Sequence, residues 1–329
     1  MKKTLWLITG GCGFIGTALV KNLLRDPSNV IRIMDNFSEG DLESKKEFED
    51  FELIDRPVYL DKNRNQVFLS SVTNENNVNQ AVAECKYVVH LAANTGVQKS
   101  LDDPQFDFET NVKGTFNLLE ACRKSMVKKF VFASSGAVVG EVKPPINENA
   151  LTRPVSPYGA SKLTGENYCS AYFQAYGLLS VALRFSNVYG PGSLKKGSVI
   201  AKFIKRALNG EELIVNGSGN QTRDFVYIDD LVDAIKKSAV SNTQGAQTYQ
   251  ISTGRETSVN ELIAILQSTF TRLGVKQIRY EHGVQLKADV SRNFADPSKA
   301  LKDLGWKAQV ELRDGLMSTV KYFLEQKNG

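Results

Sequence analysis

The sequence predicts an α/β fold in which a doubly wound parallel sheet is joined to a smaller mixed α/β domain. Short apolar segments without polar alternation are separated by helical patterns, which is typical of a parallel sheet covered on both faces. Four glycines follow the first apolar segment, where a turn must lead into the first helix. After about Ser186 the elements become shorter and glycines separate them, which indicates a second domain.

The predicted strands are short apolar segments spread along the first half of the chain. They are Leu5–Ile8, Val30–Met34, Val67–Leu69, Tyr87–Val89, Phe130–Phe132 and Leu179–Phe185. The predicted helices are Phe14–Arg25, Phe106–Lys124, Tyr158–Tyr176, a helix beginning at Asp229, Val259–Phe270 and Leu312–Glu325. We expect the crossovers between parallel strands to be right-handed.

The composition argues against several classes of protein. Of 329 residues, 41 are Lys or Arg and 36 are Asp or Glu, and the net charge of +5 is too small to indicate a nucleic-acid partner. No two of the four cysteines have metal-ligand spacing, so we expect no metal site. Scattered cysteines fit a reducing compartment better than a disulfide framework, so we expect a cytoplasmic protein.

The first twenty residues have one property of a secretory signal. Lys2 and Lys3 precede an apolar stretch that ends at Val20. Glycines at regular spacing interrupt that stretch, however, and indicate a turn. No run of about 18 apolar residues occurs elsewhere, so we expect neither a signal peptide nor a membrane span.

A glycine-rich turn joins the first predicted strand to the first predicted helix. The segment contains Gly-x-x-Gly-x-x-Gly from Gly10 and Gly-x-Gly-x-x-Gly from Gly11. Between a strand and a helix, such glycines allow a tight turn, close approach of a pyrophosphate and close helix packing. The N–H groups of the helix N-terminus favour the same anion. The motif predicts a Rossmann-type dinucleotide site, and a glycine turn without a ligand is the alternative.

Asp35 ends the second predicted strand, about twenty residues after the glycine turn. A carboxylate at that place can accept hydrogen bonds from the adenosine ribose hydroxyls and would repel a 2′-phosphate. The predicted cofactor is therefore NAD rather than NADP. A turn residue at the strand end is the alternative interpretation of Asp35.

The chain also contains a candidate acid–base group. Tyr158 and Lys162 are four residues apart and would share one face of a helix. A lysine ammonium beside a tyrosine favours the phenolate, so we expect a lowered tyrosine pKa and a general base. Ser134 and Ser135 end a predicted strand, where a hydroxyl faces the ligand crevice of a parallel sheet. A surface Tyr–Lys pair and a turn-capping serine are the alternatives.

With these motifs in this order, the chain resembles the extended short-chain dehydrogenase/reductases, and among them the nucleotide-sugar epimerase/dehydratase family. The likeness extends over essentially the whole length. Four further segments carry it, namely His90–Ala93, Thr110–Thr115, Arg184–Pro191 and Arg223–Asp230.

The resemblance implies a role for each segment and for named residues. It implies an NAD-binding domain of residues 1–186 and 222–251, and a nucleotide-sugar domain of residues 187–221 and 252–329. The implied NAD contacts are Gly10, Gly13, Phe14, Ile15, Gly16, Asp35, Asn36, Ser38, Gly40, Ser71, Val72, Leu91, Ala92, Ala93, Asn111, Tyr158 and Lys162. The implied catalytic residues are Ser135, Tyr158 and Lys162, and the implied substrate contacts are Ser134, Ser135, Tyr158, Asn187, Val199, Arg223, Asp289 and Asn293. It also implies a homodimer built on the helices Phe106–Lys124 and Tyr158–Tyr176.

Members of the family begin by taking a hydride from C4 of the sugar, and the fate of the resulting 4-ketone distinguishes them. Dehydratases and decarboxylases carry an acidic residue just after the strand-end serine or threonine, whereas Gly136 and Ala137 follow Ser135 here. The resemblance therefore implies 4-epimerisation of a UDP-sugar. A dehydratase or decarboxylase, and a non-catalytic NAD-binding regulatory protein, are the alternatives.

Three positions depart from the family pattern or affect the choice of sugar. Ser71 stands where the family usually has an aspartate that contacts adenine. Leu286 replaces a phosphate-binding arginine, and the neighbouring Lys287 is a candidate substitute. Asn293 falls at a position beside the sugar where small residues admit 2-acetamido groups. Both N-acetylated and plain hexoses stay open, and we favour the N-acetyl forms.

Overall fold

In the computed structural model, which describes residues 3–38, 48, 50–55, 60–275, 278–284 and 290–328, the chain divides into two compact units. The first unit comprises Met1–Gly140, Leu151–Arg184 and Val232–Tyr249. The second unit comprises Glu141–Ala150, Phe185–Leu231 and Gln250–Gly329. The assignment of one domain to NAD and another to the nucleotide sugar stays a prediction.

The strands and helices alternate through the first half of the chain. In chain order, the strands are β1 (Thr4–Thr9), β2 (Asn29–Asp35), β3 (Glu52–Ile54), β4 (Gln66–Leu69), β5 (Tyr87–His90), β6 (Lys129–Ser135), β7 (Ser180–Phe185), β8 (Asn187–Tyr189), β9 (Leu213–Asn216), β10 (Thr222–Arg223), β11 (Phe225–Tyr227), β12 (Ala246–Ile251), β13 (Thr257–Ser258) and β14 (Tyr280–Gly283). The helices are α1 (Phe14–Leu23), α2 (Glu75–Val82), α3 (Val97–Asp102), α4 (Pro104–Asp107), α5 (Gly114–Lys124), α6 (Pro157–Tyr176), α7 (Val199–Leu208), α8 (Ile228–Val240), α9 (Val259–Arg272), α10 (Ser298–Leu304) and α11 (Leu312–Asn328).

An eight-stranded parallel sheet forms the centre of the first unit, in the order β12-β7-β6-β5-β1-β2-β4-β3. Strands β2, β3 and β4 lie on one side of β1, and β5 with the later strands β6, β7 and β12 lies on the other side. The order therefore reverses between β1 and β5, where Thr9 pairs with His90. In an open parallel sheet, ligands bind outside the carboxyl ends of the strands at such a reversal.

Apolar side chains bury both faces of this sheet. Five consecutive residues of β1 are buried, as are all four residues of β5. On one face Val88 and Phe130 pack in a cluster with Leu118 and Leu119 of α5, and none of these four side chains is exposed. Strands buried on both faces explain the apolar segments without alternation. The predicted fold class is confirmed.

The prediction lacks several elements of the first unit, among them β3 and α2. Strand β3 has only three residues and lies at the sheet edge. Helix α2 is mostly polar, and Asn74 caps its N-terminus by accepting a hydrogen bond from the Asn77 N–H. The buried Arg32 guanidinium donates to the carbonyls of Ala81 and Ala83 at the other end of α2, at 2.7 and 2.9 Å. Tertiary hydrogen bonds therefore add to the stability of this short, mostly polar helix.

Helix Phe106–Lys124 was predicted as one element and is helical throughout, but not uniformly. It consists of the end of α4, a π-helical segment over Phe108–Lys113, and α5. A π-helical turn inserts one residue into a helix and shifts the faces that precede and follow it. Side chains before the shift can therefore point towards the site while α5 packs on the sheet.

The described part of the second unit contains small two-stranded sheets and the helices α7, α9, α10 and α11. Strand β8 pairs in parallel with β11, β9 in parallel with β14, and β10 in antiparallel fashion with β13. The buried Asp230 carboxylate accepts hydrogen bonds from the backbone N–H groups of Gln309 and Val310, and Trp306 donates to the Asp230 carbonyl. These bonds fix the segment between α10 and α11. Within the described residues, no helix has both the length and the hydrophobicity that a bilayer span requires.

Candidate active site

The glycine turn between β1 and α1 requires glycine for two steric reasons. Gly10 has a φ of +68°, and a Cβ there would lie 2.7 Å from the Ala92 backbone nitrogen. A Cβ on Gly16 would overlap the Gly10 carbonyl oxygen. Gly13 is different, because a Cβ there would meet only the Gly10 oxygen, at 3.3 Å. The fold thus needs Gly10 and Gly16, whereas Gly13 keeps its exposed side accessible to a ligand.

The first turn of α1 offers hydrogen-bond donors to an anion. Gly13 is its N-cap residue, and no side chain caps the helix there. Phe14 and Ile15 follow, both half-buried. Free N–H groups at a helix N-terminus, beside a residue without a side chain, suit the pyrophosphate of a dinucleotide. These residues fit the diphosphate of NAD.

Asp35 stands at the end of β2, next to the glycine turn. Its carboxylate accepts hydrogen bonds from the backbone N–H groups of Cys12 at 2.9 Å and Phe37 at 2.8 Å. Burial raises the pKa of this carboxyl group, and these backbone hydrogen bonds oppose the rise. Two backbone donors leave lone pairs on both oxygens for ribose hydroxyls. Asp35 fits the predicted ribose contact.

The other predicted NAD contacts lie in segments around the carboxyl edge of the sheet. Asn36 and Ser38 are exposed after β2, and Gly40 lies outside the described residues. The Ser71 hydroxyl pairs with the Thr73 hydroxyl at 2.8 Å, while the Val72 carbonyl accepts from Asn117 at 3.0 Å. Leu91, Ala92 and Ala93 follow β5, and they are half-buried. The roles of these residues towards NAD stay predictions.

Tyr158 and Lys162 lie in the first turns of α6. Ser156 caps this helix by accepting a hydrogen bond from the Gly159 N–H at 3.1 Å, and Pro157 occupies the first helical position. The Lys162 Nζ lies 5.8 Å from the centre of the Tyr158 ring and 5.0 Å from that of Phe132. The predicted Tyr–Lys pair therefore shares one helix face.

The electrostatics of this pair differ from the prediction. Burial raises the pKa of Tyr158 to about 12, although a hydrogen bond with Ser135 acts in the opposite direction. Burial also lowers the pKa of Lys162 to about 8, and the charge of Asp107 raises it. The expected lowering of the Tyr158 pKa is wrong for this structure, because desolvation of the phenolate dominates.

The two strand-end serines point in different directions. Ser135 hydrogen-bonds Tyr158, and its hydroxyl also accepts from the Ala137 N–H at 3.2 Å. Ser134 is buried, and its hydroxyl donates to Glu166 at 2.5 Å. Glu166 in turn accepts two hydrogen bonds from Arg184, at 2.9 and 2.7 Å. Ser135 thus joins the candidate acid–base group, while Ser134 supports a buried ion pair and its substrate contact stays a prediction.

Three predicted substrate residues lie close together in the second unit. The Asn187 N–H donates to the Asp224 carbonyl at 3.0 Å, next to Arg223, and the Asn293 N–H donates to the Thr222 carbonyl at 3.2 Å. The Arg223 guanidinium donates to the carbonyls of Thr222 and Val290. Backbone pairing therefore gathers Asn187, Arg223 and Asn293.

The remaining predicted substrate residues discussed for this unit are Val199 and Asp289. Val199 begins α7 and is half-buried. Asp289 lies outside the described residues, as do Leu286 and Lys287.

A buried polar cluster beside the Tyr–Lys pair is missing from the sequence analysis. The two hydrogens of the Asn111 amide nitrogen are shared among three acceptors, Asp107, the Asn94 carbonyl and Ser161, at 2.9, 3.0 and 3.1 Å. The Asn94 N–H donates back to the Asn111 oxygen at 2.8 Å. Asn111 was predicted only as an NAD contact. The sequence offered one signal for Asp107, which is an acidic residue four positions before Asn111 inside a predicted helix.

Comparison with known proteins agrees with this geometry. A model described as the NAD dependent epimerase/dehydratase family matches residues 6–252. A UDP-glucose 4-epimerase from Mycolicibacterium smegmatis is 35% identical over 326 residues, which cover 96% of this chain and 97% of the relative.

Two solved structures are similar over nearly the whole chain. A UDP-glucose 4-epimerase with UDP-glucose from Thermotoga maritima has a TM-score of 0.86 and 35% identity, covering 98% of this chain and 100% of that chain. A UDP-N-acetylglucosamine 4-epimerase from Methanobrevibacter ruminantium in complex with UDP-N-acetylmuramic acid has a TM-score of 0.87 and 30% identity, covering 99% and 100%. The predicted family and the predicted NAD cofactor are confirmed. The chain therefore belongs to the NAD-dependent epimerase/dehydratase family.

Proposed function

We propose that this enzyme interconverts a UDP-sugar and its C4 epimer through a transient 4-keto sugar. The observation that carries the proposal is the backbone after Ser135. Gly136 and Ala137 form a short 3₁₀ turn there, and the Ala137 N–H donates to the Ser135 hydroxyl. Elimination from a 4-ketone needs a second proton-transfer group, and neither residue offers one. The similar proteins named above as 4-epimerases support the same reaction.

In the proposed reaction, Tyr158 takes the proton of the sugar 4-hydroxyl. Ser135, which hydrogen-bonds Tyr158, orients that hydroxyl and stabilises the Tyr158 phenolate that accepts the proton. The Lys162 ammonium lies on the same helix face and adds a positive charge. Bound NAD supplies the hydride acceptor for C4 and, in its oxidised form, a cationic ring.

Epimerisation is completed when the 4-ketone turns its other face towards the returning hydride. Tyr158 then returns the proton to the new alkoxide, so the enzyme ends in its starting protonation state. The reaction has no net redox change and needs no second acid. This is the simplest chemistry that the residues around Ser135 support.

We further propose that the first unit binds NAD and the second binds the nucleotide sugar. Arg223 has the charge and planar donors that suit diphosphate oxygens, and Asn187 is a second polar contact beside it. Asn293 is half-buried and of moderate size, which leaves room for a 2-acetamido group. We favour N-acetylated UDP-hexoses, with plain hexoses as the second choice.

An aromatic surface on α5 and α6, exposed at Phe116 and Tyr176 and buried at Tyr172, supports a homodimer. The rings of Phe116, Tyr168, Tyr172 and Tyr176 contact one another in sequence, with centroid distances between 5.3 and 6.5 Å. Phe116 is 40% exposed and Tyr176 57% exposed. Large exposed apolar patches of this kind mark protein interfaces. We propose that a second copy covers this surface.

We propose the cytoplasm as the location of the protein. The cysteines Cys12, Cys85, Cys122 and Cys169 are free and buried. Free thiols are typical of a reducing compartment.

Incubation with UDP-GlcNAc, UDP-Glc and UDP-GlcA, followed by chromatographic separation of C4 epimers, tests the proposed reaction. We expect interconversion of at least one pair, with the N-acetyl pair fastest. Accumulation of a 4-keto product would identify a dehydratase, and release of CO₂ a decarboxylase. Binding of NAD without conversion of any substrate would indicate a regulatory protein.

A further inference from the structure

Asp107 is a buried carboxylate next to the proposed catalytic helix. It is the last residue of α4, and only 1% of its surface is exposed. The π-helical segment begins directly after it. π-helical turns are frequent at functional sites, because they displace one side chain from the regular helix face. A buried carboxylate also requires partners that compensate for its lost hydration.

Hydrogen bonds connect Asp107 to the helix that carries Tyr158. The Asn111 amide donates both to Asp107 and to the Ser161 hydroxyl. Ser161 lies between Tyr158 and Lys162 in sequence, and its hydroxyl donates to the Tyr158 carbonyl at 3.0 Å. Asp107 also interacts with Ser161 directly. The carboxylate is therefore one end of a short network that reaches the first turns of α6.

Asp107 is also the anion that acts on the Lys162 ammonium. Lys162 is 3% exposed, and burial lowers its pKa to about 8, whereas the Asp107 charge raises it. In the reverse direction, the Lys162 charge lowers the pKa of Asp107, which burial raises. Each charge thus favours the ionised form of the other.

His90, on β5, is a further titratable group that interacts with Lys162. Burial and the Lys162 charge both lower the pKa of His90. Its hydrogen bonds agree with a neutral ring. Thr115 donates its hydroxyl hydrogen to the Asn111 carbonyl, so it accepts from His90 Nε2, and Thr9 is left to donate to Nδ1. A neutral histidine does not balance the ammonium, so this task falls to Asp107.

We propose that Asp107 is a positioning residue of the active site: with Asn111 and Ser161 it forms a buried hydrogen-bond network that fixes the start of α6, and its negative charge favours the ammonium form of Lys162. Asp107 acts through this network and through electrostatic attraction, without touching the substrate. The inference extends the proposed function, but its test does not depend on which reaction the enzyme performs.

The test is an NMR titration of lysine ε-carbons in the full-length protein, with the Lys162 signal assigned from its loss in Lys162→Met. In the wild type we expect an apparent pKa of about 8. In Asp107→Asn, which removes the charge and keeps the shape, we expect the Lys162 pKa to fall by about one unit. Asp103→Asn is the matched control, because Asp103 is exposed and caps α4, and asparagine caps as well as aspartate.

An equal Lys162 pKa in Asp107→Asn and Asp103→Asn would overturn the proposal. If Asp107→Asn does not fold, Asp107→Glu provides the second variant. This variant keeps the charge, so we expect the Lys162 pKa of the wild type. A Lys162 pKa lowered as far as we expect for Asp107→Asn would contradict the proposal. A failed epimerase assay with a shifted Lys162 pKa would leave Asp107's role intact and reject only the proposed reaction.

Discussion

At the scale of single residues, the site owes its properties to burial as much as to residue type. Tyr158 has a pKa raised to about 12 and Lys162 a pKa lowered to about 8, each mainly by desolvation. Both shifts disfavour the charged forms, the Tyr158 phenolate and the Lys162 ammonium, so the base requires stabilisation of its phenolate by Ser135 and by positive charge. The residues of the motif were predictable from their spacing. Their pKa values were not, because burial depends on packing that spacing does not encode.

Replacing Tyr158 by phenylalanine tests the base directly. The change removes one hydroxyl and keeps the ring that packs near Lys162. We expect kcat to fall by between about 100-fold and 10,000-fold, the range of general acid–base catalysis, while NAD content stays at the wild-type level. The measurements are steady-state kinetics and NAD released on denaturation. A wild-type kcat would exclude Tyr158 as the base.

The contacts of Ser134 and Asp107 could not be predicted from the sequence. The pair Ser134–Ser135 offers two similar hydroxyls, and only the contact with Glu166 directs Ser134 inward. Asp107 carries no motif of its own. Its importance comes from the π-helical segment, which brings it to Ser161. Neither contact can be read from local spacing, because each joins elements distant along the chain.

At the scale of elements, the junction of β1 and α1 was the most predictable part of the fold. Three glycines of that turn play different parts, and this follows from what a Cβ would meet at each. Backbone atoms lie closer than 3.0 Å to a Cβ at Gly10 and at Gly16, whereas a Cβ at Gly13 would lie 3.3 Å from the Gly10 oxygen. Strand β3 and helix α2 were not predictable, because one is very short and the other relies on the distant Arg32 for its C-terminal hydrogen bonds.

Gly13→Ala separates ligand binding from folding in this turn. The new methyl group would lie 3.3 Å from the Gly10 oxygen, which a small backbone shift accommodates, but it would cover the approach to the first turn of α1. We expect a folded protein with little bound NAD and with a Tm close to that of wild-type protein from which NAD has been removed. Circular dichroism and NAD release are the measurements.

Gly197→Ala is the control for that variant, since Gly197 is exposed with only the Lys202 side chain near it, at 3.7 Å. We expect it to keep both fold and NAD. Wild-type NAD content in Gly13→Ala would show that the pyrophosphate does not approach this glycine.

At the scale of the whole molecule, the chain forms one unit around an eight-stranded parallel sheet and a second unit of small sheets and helices. The chain length and the shorter, glycine-separated elements after about Ser186 predicted two domains. The units are not continuous in sequence, because segments such as Glu141–Ala150 belong to the second unit although no change in composition marks them. The net charge of +5 gave no information on the substrate. What matters for a diphosphate ligand is a local cation, and Arg223 is the candidate.

The proposed dimer predicts that a charge on the aromatic surface of α5 and α6 separates the subunits. Phe116→Asp places a carboxylate among Tyr168 and Tyr172, where burial by a second copy would cost several kcal/mol. We expect a dimer for the wild type and a monomer for Phe116→Asp by light scattering. Leu301→Asp, at a 51% exposed position on α10, is the control and should stay dimeric. A wild-type monomer would contradict the proposed dimer.

The most direct measurement of the central claim follows the hydrogen at C4 of the sugar. UDP-GlcNAc and UDP-Glc labelled with deuterium at C4 are incubated with the enzyme in ordinary water, and both epimers are analysed by mass spectrometry and NMR. If the hydride leaves C4 and returns to the opposite face of the same sugar, the C4 epimer forms and keeps its deuterium. Loss of the label to water, its transfer to C6, or a 4-keto sugar as the final product would contradict the account.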